Sequence, residues 1–270
     1  MSDNLDIQFL MQKYIELDKP IPFKENRLLI LPVLIEESFE FLQSIDVLDI
    51  DKDTHGTIEI IQMPYLSYLY NLIGESDEYS IGLKLNAILT LSIQIVGHEF
   101  ERVFIKSEIN EDGKCFIIFS NNDLDKPSPE DIKLNSREFD ELRRIIMYQN
   151  ILNFSDKYID PDLKKAFNDY WSFKNKNISV PTLEKQIAII QSVTGMNKTE
   201  ILCMTYRCFK ILFDTCVEQI DYKINKSAEM SGQVEFKKSV EHWVYKTNKS
   251  MYADAFQDVN SYKETMKSVT

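Results

Sequence analysis

Seven glycines and eight prolines in 270 residues are too few for a fold that depends on many tight turns. Glycine supplies the positive φ such turns need and proline pre-sets their first residue, so a sandwich or propeller turning roughly every ten residues would use more of both. The chain is therefore expected to be mostly helical. Hydrophobic residues make up 44%, with 16 Phe and 13 Tyr, which is enough apolar material to offset the conformational entropy lost on folding. Wholesale disorder is not expected, and the length suits two domains of moderate size.

The formal net charge of −12 makes the average surface repel phosphate backbones and anionic lipid head groups. Neither nucleic acid nor membrane is an expected partner, and the basic pairs Arg143-Arg144 and Lys237-Lys238 read as solvated helix faces. The longest apolar stretch, Leu85 to Val96, is interrupted by Asn86, Thr90, Ser92 and Gln94 and is too short to cross a bilayer, so it reads as a core helix. Met1 to Asp6 is polar and acidic, which predicts no secretory signal and a reducing cytoplasm. Of Cys115, Cys203, Cys208 and Cys216, the last three share one apolar segment at helical spacing, which predicts buried thiols and no zinc site.

Along the chain, Ile7, Leu10, Met11, Tyr14 and Ile15 give a short amphipathic helix that Pro20 and Pro22 stop. Arg27 to Ile35, with Pro32, reads as an edge or bulged strand, and the next helix is expected to bury Phe39, Leu42 and Ile45. Pro64 to Ile73 and Gly82 to Val96 read as helices. A hairpin comes next, with Val103 and Ile105 on one strand, Cys115, Ile117 and Phe119 on the other, and Asn110 to Gly113 as its turn. Residues 120–131 then carry two prolines and few apolar groups, which reads as a linker. Beyond it, Asn135 or Ser136 caps a helix burying Phe139, Leu142, Ile145 and Ile146, and Asp160-Pro161 starts another. A helix over 182–193 stops at Gly195, and Asn197 with Glu200 forms a capping box ahead of a long apolar stripe from Leu202 to Ile224. The prediction is an α+β, predominantly helical fold. It comprises a small mixed domain with a β-hairpin over 1–120, a linker over 121–134 and a helical domain over 135–270.

No catalytic constellation emerges. His55, His98 and His242 lie in separate segments without H-x-x-x-H or C-x-x-C companions, and the nucleophile-elbow, P-loop and dinucleotide motifs are missing. Asp49 to Asp53 has a calcium-loop look, but its glycine comes at Gly56 and no closing glutamate stands after it. Pro161-Asp162 with Glu235 and Lys237 faintly resembles a metal-dependent nuclease motif, yet the pieces are far apart and Asp162 suits a first-turn helix acid. Tyr65, Tyr68, Tyr70 and Tyr170, Trp171, Phe173 serve equally as core or as interface anchors.

The segment Arg137-Glu-Phe-Asp-Glu-Leu-Arg-Arg-Ile-Ile-Met-Tyr-Gln-Asn150 resembles a stretch in proteins from tail gene clusters of phages infecting Gram-positive bacteria. Tyr158 to Asp162, Thr182 to Gln186, Ala228 to Gly232 and His242-Trp243 come after it in the same order, and Pro20 to Phe23, Pro32-Val33 and Gln62 to Leu66 are similar too. The resemblance implies a relative of tail or baseplate hub assembly chaperones of tailed phages. Such a protein is not an enzyme, needs no cofactor or metal, and partners a tail or baseplate structural protein in the host cytoplasm during assembly, with self-association left open. Phe139, Arg143, Tyr148, Gln149, Asn150, Met230 and Trp243 are the expected interaction residues. A permanent virion component, a protein binding or inhibiting a host factor, and a metal-dependent nuclease are the alternatives.

Overall fold

The computed structural model describes residues 9–52, 57–75, 78–98, 102–122, 128–154, 161–174, 180–232, 236 and 239–245. His55, Gly56, Asp53, Asp160, Glu235, Lys237, Lys238 and the tail beyond 245 lie outside the described residues, and so do the expectations placed on them. The chain is mixed α+β and predominantly helical, with two three-stranded antiparallel sheets among the described residues.

The first sheet joins β1 (Ile21–Phe23), β2 (Leu28–Ile30) and β3 (Ile93–Ile95) in that order. Pro22 sits on the edge strand, where its missing N–H costs no central ladder bond. The turn between β1 and β2 holds Lys24, Glu25 and Asn26 at φ 48°, 57° and 62°. β3 is a correction to the core-helix reading of 85–96. The helix Glu78–Ser92 ends where the alternating Ile93-Gln94-Ile95 pairs with Leu28–Ile30. β-branched residues on alternate positions suit a ladder better than a helix face.

The second sheet joins β4 (Phe104–Ile109), β5 (Cys115–Ser120) and β6 (Ile132–Asn135). Its hairpin closes as expected: Gly113 at φ 75° donates its N–H to the Asn110 carbonyl, and the Asn110 side chain accepts from the Lys114 N–H. Cys115, Ile117 and Phe119 face the core in strict alternation. β6 is the strand that local composition hid. It pairs with Phe116–Phe119 and leads straight into the helix Ser136–Asn150, capped at Asn135 by a reciprocal bond with Glu138.

That pairing corrects the expected linker and boundary. The chain divides into Met1–Lys157 with Thr194–Leu212, and Tyr158–Val193 with Phe213–Thr270. The helix Ser136–Asn150 belongs to the first unit, where it packs on β5, β6 and the helix Tyr65–Glu75. A second correction concerns the helix Ser38–Ser44. It buries Ser38, Phe41 and Ser44 while Phe39 is 71% and Leu42 53% exposed. The buried positions follow the 38, 41, 44 spacing of one stripe, and the helix packs on Glu78–Ser92, so Phe39 and Leu42 fall outside that stripe.

The second unit contains Pro161–Lys174, most of Leu183–Thr194 and the later part of Tyr206–Met230. Among the described residues its buried apolar side chains include Phe167, Ile187, Ile190, Phe213 and Cys216. The expected long helix starting near Leu202 is interrupted. Lys198–Leu202 is a short helix with the predicted Asn197–Glu200 box, and Thr205 then caps a new start by accepting from the Cys208 N–H. Among the described residues no helix is long and apolar enough to cross a membrane.

Candidate functional site

Four of the seven expected interaction residues lie in the interior of the first unit. Phe139 and Asn150 are fully buried, Gln149 nearly so, and Arg143 only 8% exposed. Asn150 accepts the Val33 N–H at 2.9 Å and donates to the Ile146 carbonyl, while the Gln149 amide reaches the carbonyls of Lys19 and Ile30. These side chains fasten the end of their helix to the first sheet and are not free to contact a partner. Tyr148 is half-buried against Phe154 in an edge-on ring contact. Met230, by contrast, is 80% exposed at the end of its helix, where Gly232 takes φ 66°. Tyr65 and Tyr68 are core residues, whereas Phe173 is 81% exposed.

Arg143 is the centre of a buried polar cluster. Its guanidinium donates to the Leu48 carbonyl and lies 4.0 Å from the centre of the Tyr65 ring. The Tyr65 hydroxyl in turn donates to the Val47 carbonyl and accepts from the Ile50 N–H, and burial holds that phenol protonated. Asp140 accepts the Tyr65 N–H at 2.8 Å and so caps a helix from outside its own segment. Lys52, within the calcium-like sequence, instead donates to the Met63 carbonyl. Burial raises the Asp140 carboxyl above the ordinary range, against the lowering effect of the Tyr65 N–H and of Lys52, Arg143 and Arg144. A carboxyl raised in the folded state contributes stability that is present below its unfolded value and lost as pH rises through the folded one. Asp140→Asn keeps an oxygen for Tyr65. In urea unfolding it is expected to be more stable than the native chain at pH 7, with the advantage vanishing towards the ordinary Asp value of about 4. An advantage that persists unchanged to low pH contradicts this assignment.

One concave feature of the first unit is a groove of about 490 Å³ lined by Leu31, Pro32, Leu34, Leu91 and Met204, with Asp18 and Glu37 among its polar groups. Its walls are joined through backbone: Leu34 bridges Thr205, the Ile35 N–H donates to the Met204 carbonyl at 2.9 Å, and the Tyr206 N–H donates to the Val33 carbonyl at 2.7 Å. The Thr205 hydroxyl donates to Asp18 at 2.8 Å. Cys203 and Cys208 also line the groove. Cys203 is exposed, which corrects the expectation that all four thiols are buried. Burial, then the Asp18 carboxylate, push the Cys208 thiol up, away from the reactive thiolate. This groove was not legible in advance, because its sides come from segments some 170 residues apart and only the Pro32 strand end hinted at one of them.

Elsewhere, His98 sits 2.9 Å from the Asn121 amide nitrogen, and Asp162 is an exposed acid in the first turn of Pro161–Lys174. Among the described residues no group of three or more His, Cys, Asp or Glu side chains is placed to hold a metal ion. Comparison of the chain with protein families, curated proteins and solved structures found no match.

Proposed function

We propose that this chain is a non-enzymatic assembly protein of a tailed phage, which shields an apolar segment of a tail or baseplate structural protein. The groove of the first unit carries the reading. It offers Leu31, Pro32, Leu34 and Met204 beside two carboxylates, a surface suited to an apolar segment flanked by basic residues. The net charge of −12 adds long-range attraction for such a partner and keeps the protein from coating nucleic acid. The phage part of the reading rests on the resemblance centred on Arg137 to Asn150.

Cys203 provides the test. Being the exposed thiol, it is expected to take up a maleimide well before Cys115 and Cys216, which are buried, and a bulky adduct there fills the groove. On co-expression with the neighbouring tail proteins, the native chain is expected to hold one of them in solution, and the Cys203 adduct to release it. Cys203→Ser treated with the same reagent should retain the partner. A complex indifferent to the adduct removes the groove from the reading. Stoichiometric presence of the chain in purified virions instead makes it a permanent tail component.

A further inference from the structure

The second unit holds a pocket that the proposed function does not use. It encloses about 350 Å³ between the later turns of Tyr206–Met230 and the segment 239–243. Tyr222 and Trp243 line it together with Glu218, Asp221 and Glu241. The aromatic groups form a chain: Tyr222 and His242 have ring centres 4.7 Å apart, and His242 stacks on Trp243 at 5.6 Å. The segment is pinned in place by the Val240 N–H, which donates to Glu229 at 3.0 Å. One turn beyond Tyr222, Lys226 is held by Glu229 at 2.6 Å.

We infer that this pocket binds a cationic side chain, preferentially arginine, presented by a partner protein. Aromatic faces attract a cation through their quadrupoles, and a planar guanidinium both stacks on a ring and pairs with carboxylates through its fork of N–H donors. Two aromatic side chains and three carboxylates lining one cavity combine both modes of recognition. An anion meets repulsion there, and a neutral apolar side chain leaves the carboxylates unanswered. Trp243 thus has a binding role of its own, separate from the groove of the first unit and independent of whether that groove holds a tail protein.

The test uses the full chain labelled with 5-fluorotryptophan, whose two tryptophans, Trp171 and Trp243, give two fluorine resonances that Trp243→Phe assigns. Titration with Nα-acetyl-arginine amide is expected to move the Trp243 resonance saturably and leave Trp171 in place. The neutral isostere acetyl-citrulline amide, and arginine against the double variant Glu218→Gln with Asp221→Asn, are each expected to bind at least about tenfold more weakly. An equal response to acetyl-lysine amide still supports a cation site and removes only the arginine preference. The inference is overturned by an equal response to citrulline, by undiminished binding to the double variant when its free spectrum is native-like, or by no saturable response to arginine.

Discussion

Phe139→Ala is expected to destabilise the first unit by about 3–5 kcal/mol, the range for emptying a fully buried aromatic site. Phe139 is completely buried on the helix Ser136–Asn150 and belongs to the core cluster of the first unit, so its loss opens a cavity within that core. The resemblance marks the same residue as an interaction contact, and the two roles separate cleanly. A contact residue can be truncated at little cost to folding, whereas a core residue cannot. Both tryptophans lie in the second unit, so urea unfolding followed by tryptophan emission reports on that unit, while far-UV circular dichroism reports on both. The expected result is a lower midpoint in the dichroism transition with little change in its slope. A loss below about 1 kcal/mol sinks the core assignment.

The features that could be read in advance were local. The cap at Asn135, the Asn197 box, the Asn110–Gly113 turn and the stop at Gly195 each depend on residues within one or two turns, and each is present. The β1–β2 hairpin escaped for a physical reason: its left-handed positions carry Lys24, Glu25 and Asn26, so no glycine advertised the turn. β3 escaped because Ser92 and Gln94 read as two more interruptions of one helical run, although Ile93-Gln94-Ile95 carries the alternation of a strand too short to stand out from it. The misplaced domain boundary has a related cause. Residues 120–131 have the composition of a linker, and nothing in them shows that the chain returns at Ile132 to pair with β5. Side-chain roles were the least legible of all. Met230 is exposed, yet Arg143, Gln149 and Asn150 are polar residues whose partners lie across the fold, and polarity alone reads them as surface.

Asn150→Ala, the second large effect, is expected to cost about 2–3 kcal/mol, because it leaves the buried Val33 N–H without its acceptor. Val33 is held from both sides, its N–H by Asn150 and its carbonyl by the Tyr206 N–H, and its neighbours Leu31, Pro32 and Leu34 form one wall of the groove. One side chain, reaching across 117 residues of sequence, therefore sets the position of the candidate binding surface without touching a ligand. Asn150→Asp refines the test. Its ionised carboxylate still accepts from Val33 but turns a second oxygen towards the Ile146 carbonyl and buries a charge, so at neutral pH it should fold less stably than the native chain. Protonation restores a donor for Ile146. Its folded value is thus raised, and the stability lost at neutral pH should return as pH falls. Hydrogen exchange at the Val33 amide reads the same bond directly and should quicken in Asn150→Ala. An amide still protected in that variant, with the urea midpoint unmoved, means that Asn150 does not anchor the groove wall.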